Sequence, residues 1–336
     1  MSEGLRVGIV GSGRIARVHA RAYRSVARGA LVACADVQQS AADALARDFD
    51  LDVYADAKAM FAASEIDAVL IATPNGLHCE QTIAALESGK HVFCQKPIAM
   101  TMAEADRVVA AAKLHPKQIL QYGFMVRFTP PMPALRMRVA AGELGTPIVS
   151  RSAIFGWEPS AKWFYDPKQG GGVILDTMVH FADLLLWLFG PVEYVLADGG
   201  PYVLDGAKEY GSADNALVTV KHRSGVLSSL YVTWTAGHGN FTFEIYGSAG
   251  EASVDLIRSQ ASVAFIKPSR EKSGGWEYPD LVWGYGYGGE QQHFIDRILG
   301  LPVDAKAAAD VHDARAALEL VLAAQKALDT REVVRC

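Results

Sequence analysis

A glycine-rich segment near the start of the sequence has the spacing of a turn that can bind an anion. The segment reads Gly11-Ser12-Gly13-Arg14-Ile15-Ala16 and follows a short apolar run. Between a strand and a helix, Gly11 would permit the tight turn, and Gly13 would let the backbone approach a pyrophosphate. The free N–H groups of the helix would face the anion, and Arg14 could add positive charge. A tight turn without a ligand has the same pattern, so a second signal is needed.

Asp36 provides this second signal. It closes the apolar segment Leu31–Ala35, about 20 residues beyond the glycines, where an acid can accept both ribose hydroxyls of an adenosine. The carboxylate would repel a 2′-phosphate, and residues 37–39 contain no arginine to neutralise it. The sequence therefore predicts NAD as the cofactor and disfavours NADP. The alternative is that Asp36 ends a strand and caps the helix near Ser40.

Two further polar segments follow predicted strands. The first is Thr73-Pro74-Asn75 and the second is Gln95-Lys96-Pro97. Ligands of a doubly wound sheet bind at the carboxyl ends of its strands, and both segments are predicted to leave those ends. Turn chemistry alone also explains such residues, so position rather than composition makes them candidates.

Residues 1–123 alternate β-branched apolar runs with Ala-rich helical segments, which is typical of a parallel sheet covered on both faces. The predicted strands are Arg6–Val10, Ala30–Ala35, Ile66–Ala72, His91–Cys94 and Ile119–Tyr122. The predicted helices are Ile15–Val26, Ala41–Phe49, Cys79–Ser88 and Met102–Lys113, the last with a capping box at Thr101 and Glu104. We expect a doubly wound α/β domain here.

Residues 124–336 do not continue this alternation of apolar runs and helical segments. We expect a second, α+β domain here, with an open, mostly antiparallel sheet. The segments Leu217–His222, Leu227–Trp234 and Phe241–Tyr246 alternate apolar with polar residues, as strands with one covered face do. The other predicted elements are a buried helix at Val173–Phe189, a long loop at Pro268–Gly289, helices at Gln291–Leu299 and Ala305–Ala327, and a strand at Glu332–Val334.

Composition narrows the classes of partner. The net charge of -5 provides no basic field for nucleic acid, so a small-molecule ligand is favoured. The four cysteines form no zinc-ligand spacing, and no metal is expected. No apolar segment is long enough for a membrane span, so we expect a cytoplasmic protein with reduced thiols.

Several motifs spread over nearly the whole chain are shared with one known family. They are the turn at Gly11, Thr73-Pro74-Asn75 with His78, Lys96-Pro97, Gly170-Gly171-Gly172 followed by Asp176, His180 and Asp183, Tyr246-Gly247-Ser248-Ala249-Gly250, and Glu290–Asp296. Together they resemble the Gfo/Idh/MocA oxidoreductases, which include glucose-fructose oxidoreductase and inositol dehydrogenases. The resemblance implies an N-terminal Rossmann domain, a C-terminal substrate domain, and hydride exchange between nicotinamide and a hydroxyl-bearing carbon of a sugar, inositol or polyol.

The resemblance also implies that Lys96, Asp176 and His180 surround the reacting carbon. Oxidising a secondary alcohol needs a base for the hydroxyl proton, and His180 has a suitable intrinsic pKa. Asp176 lies four residues earlier, so on a helix it shares a face with His180 and could orient the ring or bind a substrate hydroxyl. Lys96 could stabilise negative charge on the substrate oxygen or exchange the proton itself. The alternative roles are a core histidine and a helix-terminal aspartate.

This sequence departs from the family pattern in two places. Gln95 stands where the family usually has Glu, and Thr177-Met178 replaces small residues after Asp176. Gln95 can hydrogen-bond a ribose hydroxyl but carries no charge, and its effect on Lys96 is left open. Weaker candidates for lining the substrate pocket are Arg127, Trp157, Trp163, Tyr165 and Tyr285, for each of which packing is the more common role.

Two rival functions fit the same architecture. An NAD-dependent glycosidase oxidises its sugar transiently and produces no net NADH, whereas a nucleotide-sensing regulator binds the cofactor without turnover. The aromatic strand Leu230–Trp234 also indicates a sheet face that a second subunit could cover, which predicts a homodimer or homotetramer.

Overall fold

The computed structural model describes residues 4–156, 158–237, 239–255, 264–266 and 286–336. The chain forms two compact units. The first contains the residues through Phe128 together with 286–315, and the second contains the described residues between Thr129 and Gly284 together with Ala316–Cys336. The predicted division at residue 123 lies close to Phe128, but the segment 286–315 belongs with the first unit rather than with the rest of the C-terminal half.

The helices and strands are numbered in chain order. The strands are β1 (Leu5–Val10), β2 (Gly29–Ala35), β3 (Asp52–Val53), β4 (Ala68–Ile71), β5 (His91–Gln95), β6 (Leu120–Gly123), β7 (Pro147–Phe155), β8 (Val192–Gly200), β9 (Asn215–His222), β10 (Leu227–Thr233), β11 (Asn240–Gly247), β12 (Glu251–Asp255), β13 (Ala264–Ile266) and β14 (Val334–Arg335). The helices are α1 (Arg14–Tyr23), α2 (Gln39–Phe49), α3 (Ala57–Ala62), α4 (His78–Glu87), α5 (Met102–Leu114), α6 (Pro131–Ala140), α7 (Val179–Phe189), α8 (Asp205–Tyr210), α9 (Tyr287–Ile298) and α10 (Val311–Thr330).

The first unit is the doubly wound α/β domain that the sequence predicts. Its sheet is parallel with the order β3-β2-β1-β4-β5-β6, so β2 and β3 lie on one side of β1 and the later strands β4, β5 and β6 lie on the other. Val7, Ile9 and Leu70 are completely buried, as strands covered on both faces require. Phe294 and Ile295 of α9 enter the same hydrophobic core, which explains why residues 286–315 join this unit.

The second unit is built on an eight-stranded sheet with the order β13-β12-β11-β7-β10-β9-β8-β14. Neighbouring strands are antiparallel except β10 and β7, which run parallel, so the sheet is mixed although mostly antiparallel. One face is covered by α7, whose Phe181 ring stacks on Phe241 at 4.7 Å. The other face carries exposed apolar side chains such as Leu217, which is 56% exposed.

Other details differ from the sequence prediction. The short elements β3 and α3 were not predicted, because two and six residues are too few for a periodic pattern. The helix predicted at Val173–Phe189 is π-helical over Ile174–Met178 before α7 begins. The predicted loop Pro268–Gly289 lies outside the described residues except at its end, where α9 already begins at Tyr287. The capping box at Thr101 is present.

Within the described part of the chain, no helix is both long enough and apolar enough to cross a membrane.

Candidate active site

The turn between β1 and α1 has room for a ligand at its exposed end. Gly11 has a φ of 94°, and a Cβ there would lie 2.5 Å from the carbonyl oxygen of Ala72, so the protein itself requires glycine. A Cβ at Gly13, the N-cap of α1, would meet no protein atom within 4 Å. The start of α1 therefore faces open space, and its first turn carries no acidic residue.

Ser12 adds a hydrogen-bond donor to this turn. Its hydroxyl Oγ is buried and has no hydrogen-bond partner among the described residues. Buried polar atoms are normally satisfied, so this hydroxyl is suited to a ligand oxygen. Together with the α1 N-terminus and the exposed Arg14, it forms a group of donors that fits a pyrophosphate.

Asp36 is hydrogen-bonded to the glycine turn, and its side chain does not cap the helix that follows. Its Oδ2 accepts from the backbone N–H of Ser12 at 2.7 Å, and its Oδ1 accepts from that of Gln38 at 2.8 Å. Helix α2 has Gln38 as its N-cap and no side-chain cap, so Asp36 does not cap the helix at Ser40. The half-buried carboxylate at the end of β2 fits the position expected for a ribose-binding acid.

The loops after β4 and β5 are joined by His78. This buried ring places Nδ1 2.7 Å from the carbonyl oxygen of Pro97 and Nε2 3.0 Å from that of Thr73. Thr73 also donates its hydroxyl to Gln81 at 2.7 Å, and Asn75 is buried at the start of a short 3₁₀ turn that follows Pro74. The contacts of His78 thus hold the two loops together, which is a positioning role.

Lys96 follows the last residue of β5 and is half-buried, in a cis peptide bond with Pro97. Its neighbour Gln95 is buried, and the Gln95 Nε2 lies 2.5 Å from Nε2 of His19 on α1. His19 also contacts the carboxamide of Gln291 on α9 through Nδ1. Burial lowers the pKa of His19 to about 3.

In the second unit, Asp176 and His180 lie on either side of the junction between the π-helical turn and α7. Asp176 and His180 are half-buried, whereas the apolar residues next to them, Leu175 and Val179, are buried. Both polar side chains therefore lie on the accessible side of this helix. π-Helical turns are common at functional sites, because they alter which side chains share a face.

Thr177 connects this turn to the sheet. Its hydroxyl oxygen Oγ1 accepts a hydrogen bond of 2.7 Å from the indole Nε1 of Trp234. Trp234 is buried and makes edge contacts with Phe164 and Tyr165. Thr177, where the sequence departs from the family pattern, is thus hydrogen-bonded to Trp234, and this bond fixes the turn that carries Asp176.

The weaker substrate candidates are placed as follows. Arg127 is only 2% exposed, and its guanidinium pairs with Asp313 at 3.0 Å within the first unit. Tyr165 is buried and its ring makes an edge contact with that of Trp234 at 5.5 Å. Trp163 is half-buried and stacks on Phe164 at 3.8 Å. Trp157 and Tyr285 lie outside the described residues.

Sequence reasoning missed His19, and it noted Trp234 only as the end of an aromatic strand and Gln291 only as part of a longer motif. A histidine in an Ala-rich helix directly after the glycine turn was the available signal for His19. Among the described residues, no group of three or more His, Cys, Asp or Glu side chains is arranged to hold a metal ion.

The parallel sheet, the glycine turn and the acid at the end of β2 define a dinucleotide-binding α/β protein. Residues 5–124 match the model of the oxidoreductase family with an NAD-binding Rossmann fold, GFO_IDH_MocA, and residues 132–253 match the GFO/IDH/MocA C-terminal domain. The chain belongs to the Gfo/Idh/MocA family, as its motifs indicated. It is an NAD(P)-dependent dehydrogenase or reductase.

Several proteins that are similar to this chain are named as inositol 2-dehydrogenases. It is 29% identical to the myo-inositol 2-dehydrogenase of Thermotoga maritima, with 98% of both chains covered. It is 32% identical to the inositol 2-dehydrogenase of Rhizobium meliloti, with 76% of both covered. The crystal structure of myo-inositol 2-dehydrogenase from Lactobacillus plantarum is similar, with a TM-score of 0.84, 25% identity and 99% of both chains covered.

Proposed function

We propose that this protein transfers a hydride between NAD and a secondary hydroxyl or carbonyl carbon of a sugar, inositol or related polyol. The observation that carries the proposal is the turn at Gly11–Gly13, where an unsatisfied Ser12 hydroxyl, an open helix start and the Asp36 carboxylate meet. The names of the relatives support a polyol substrate. Bound NAD supplies the hydride acceptor, and the chain's own residues must move the proton.

The proton chemistry is assigned to three residues. His180 accepts the hydroxyl proton during oxidation and returns it during reduction. Asp176, on the same accessible side of the helix, orients this ring or binds a neighbouring substrate hydroxyl. Lys96 donates to the substrate oxygen and stabilises the negative charge that develops on it. Thr73, Pro74, Asn75 and Gln95 contribute to the cofactor site, and His78 positions their loops.

The preference for NAD over NADP is part of the proposal. Asp36 presents a carboxylate where a 2′-phosphate would lie, and the following Val37, Gln38 and Gln39 provide no positive charge. Val37 is almost fully exposed, so it does not shield the carboxylate from an incoming phosphate.

A turnover screen tests this function. Purified protein is incubated with NAD or NADP and a panel of inositols, aldoses, sugar acids, amino sugars and aryl glycosides, and both the NADH absorbance band and the release of the aryl group are followed. We expect NADH formation with at least one polyol and slower turnover with NADP. Release of a glycosidic leaving group without net NADH would instead indicate the glycosidase. Cofactor binding with no turnover on any substrate would indicate the regulator.

We also propose that the protein assembles as a homodimer or homotetramer through the exposed face of the second sheet. On this face Leu217 of β9 pairs with Tyr231 of β10, and both side chains are exposed. Leu227 and Tyr246 extend the apolar surface along β10 and β11. A second copy of the chain would cover this surface.

A further inference from the structure

His19 is completely buried in the first unit, between two carboxamides. Gln95 at the end of β5 contacts its Nε2, and Gln291 on α9 contacts its Nδ1. The ring also makes edge contacts with Phe93 at 5.6 Å and Tyr287 at 5.3 Å. Each ring nitrogen is therefore in contact with a carboxamide.

The available donors and acceptors determine the direction of the hydrogen bonds between Gln95, His19 and Gln291. A neutral imidazole has one N–H donor and one lone pair, so it cannot accept from amide groups at both nitrogens. The Gln291 oxygen Oε1 is buried and has no partner among the described residues. A half-turn of the Gln291 carboxamide places this oxygen against Nδ1, so Nδ1–H donates to Gln291 while Nε2 accepts from Gln95. Both ring nitrogens of His19 are then satisfied without a charge on the ring.

The groups around the ring leave it uncharged. On α1 the nearby titratable group is Tyr23, and on α9 the groups are Glu290 and Tyr287. Burial raises the pKa of the Glu290 carboxyl well above its usual value, and burial together with Glu290 raises that of Tyr23. Burial therefore disfavours the charged form of both groups. The residues that β5 contributes, Phe93 and Gln95, carry no charge.

The neighbouring strand β6 leaves space for the Gln95 carboxamide. Gln95 pairs with Gly123 in the sheet, and a Cβ at Gly123 would lie 2.7 Å from the Gln95 Nε2. The Gln95 carboxamide is thus confined between Gly123 and His19. Because Lys96 is the next residue along the backbone, whatever fixes Gln95 also fixes the point from which Lys96 emerges.

We propose that His19 is a positioning residue, which holds Gln95 and through it Lys96 by an uncharged Gln95–His19–Gln291 chain whose geometry does not change with pH. A Glu at position 95 would put a carboxylate against this ring and make the same contact depend on ionisation. The inference rests on the proposed role of Lys96, but the chain itself can be tested without turnover.

The first experiment observes the His19 ring directly by ¹⁵N NMR of the purified protein between pH 4 and 9. We expect one protonated and one bare ring nitrogen over the whole range, with Nδ1 protonated. In Gln95→Glu we expect the His19 pKa to rise by roughly 1–3 units, while the buried His222 of the second unit is unchanged. A wild-type His19 that titrates near 6.5, or a Gln95→Glu variant without any shift, would overturn the proposal.

The second experiment separates positioning from packing. His19→Gln keeps an uncharged hydrogen-bonding group near Gln95, whereas His19→Leu keeps bulk alone. We expect His19→Leu to lower kcat by roughly tenfold or more with little change in KM, since small misplacements of a reacting group are costly. His19→Gln should restore most of the loss. An equal loss of kcat in both variants would overturn the positioning role. An absence of turnover in the wild type would instead count against the proposed function, and the NMR experiment would still test the Gln95–His19–Gln291 hydrogen bonds.

Discussion

At the scale of a single residue, we propose that Asp36 selects the dinucleotide that the protein accepts. Its carboxylate accepts from the Ser12 N–H, and an acid at the end of the second strand of such a sheet can bind an adenosine ribose. We expect Asp36→Ala to weaken NAD binding by roughly 10- to 100-fold, because a charged hydrogen bond contributes about 1.5–3 kcal/mol. The same change should raise the ratio of NADP to NAD affinity, as measured by isothermal titration calorimetry.

Asp43, an exposed acid on α2, gives a matched control for that measurement. Asp43→Ala removes the same charge from the same unit and should leave both affinities within about twofold. An Asp36→Ala variant with an unchanged ratio of affinities would show that this carboxylate does not select the cofactor.

Single residues were predictable from the sequence where their role is local. The glycine turn and Asp36 follow from spacing along the chain, and the structure places them together. The surroundings of His19 were not predictable in this way. They depend on Gln291, which is 272 residues away in the sequence, and on a fold that brings α9 to α1.

At the scale of elements, Thr177 fixes the π-helical turn that carries Asp176. Thr177→Val keeps the shape of the side chain but removes the acceptor for the Trp234 indole. We expect the free energy of unfolding to fall by about 1–3 kcal/mol, because a buried N–H is left unsatisfied. Turnover should fall as well, since the turn loses its anchor. Urea unfolding and steady-state kinetics measure the two effects.

Thr177→Ser retains the hydroxyl and serves as the control, with activity close to that of the wild type. Full stability and activity in Thr177→Val would mean that the hydrogen bond to Trp234 does not hold the turn.

Asp214 organises the backbone that leads into α8. Its completely buried carboxylate accepts from the backbone N–H groups of Tyr202, Val203 and Leu204, at 3.0, 2.8 and 2.7 Å. Burial alone would raise the pKa of Asp214, but these hydrogen bonds and that from Asn215 outweigh it and lower the pKa. We expect Asp214→Asn to lower the free energy of unfolding by about 2 kcal/mol at pH 7.

The pH dependence of this effect has a definite sign. The folded pKa of Asp214 is lower than the unfolded one, so its stabilisation is present above the unfolded pKa of about 3.9. It is lost as the pH falls through the folded value. Urea unfolding at pH 7, 5 and 3 should show the gap between wild type and Asp214→Asn narrowing at low pH. A gap that widens on acidification contradicts this account, and the exposed Asp198→Asn variant is the control.

Strands that are buried on both faces were predictable from the sequence. The parallel strands β1, β2, β4 and β5 are continuous apolar runs, and their positions were found within a few residues. The π-helical turn was not found, because the spacing of Asp176 and His180 is equally compatible with an α-helix. Its formation depends on tertiary contacts such as Thr177 with Trp234.

At the scale of the whole molecule, the exposed sheet face predicts self-association. Leu217→Lys places a charge in the centre of the apolar surface that we assign to the interface. We expect light scattering to show a multiple of the 36.1 kDa chain mass for the wild type and a lower mass for this variant. Leu114→Lys, at a position that is 78% exposed in the first unit, should keep the wild-type mass. A monomeric wild type would rule out this interface.

The fold class and the family were predictable because their motifs extend along nearly the whole chain. The membership of residues 286–315 in the first unit was not predictable, because it depends on Phe294 and Ile295 packing into a core formed by the start of the sequence. The roles proposed for Lys96, Asp176 and His180 follow from the resemblance and from the proton chemistry of alcohol oxidation.

The most direct test of the central claim is the rate of NADH formation by Lys96→Ala and His180→Ala, with the best substrate from the turnover screen. We predict that each variant loses at least roughly 100-fold in kcat, while NAD affinity stays close to that of the wild type. Lys113→Ala, a change at the end of α5, should retain full activity. Wild-type turnover in Lys96→Ala or His180→Ala would contradict the account, because the proton would then be moved without the residues to which that step is assigned.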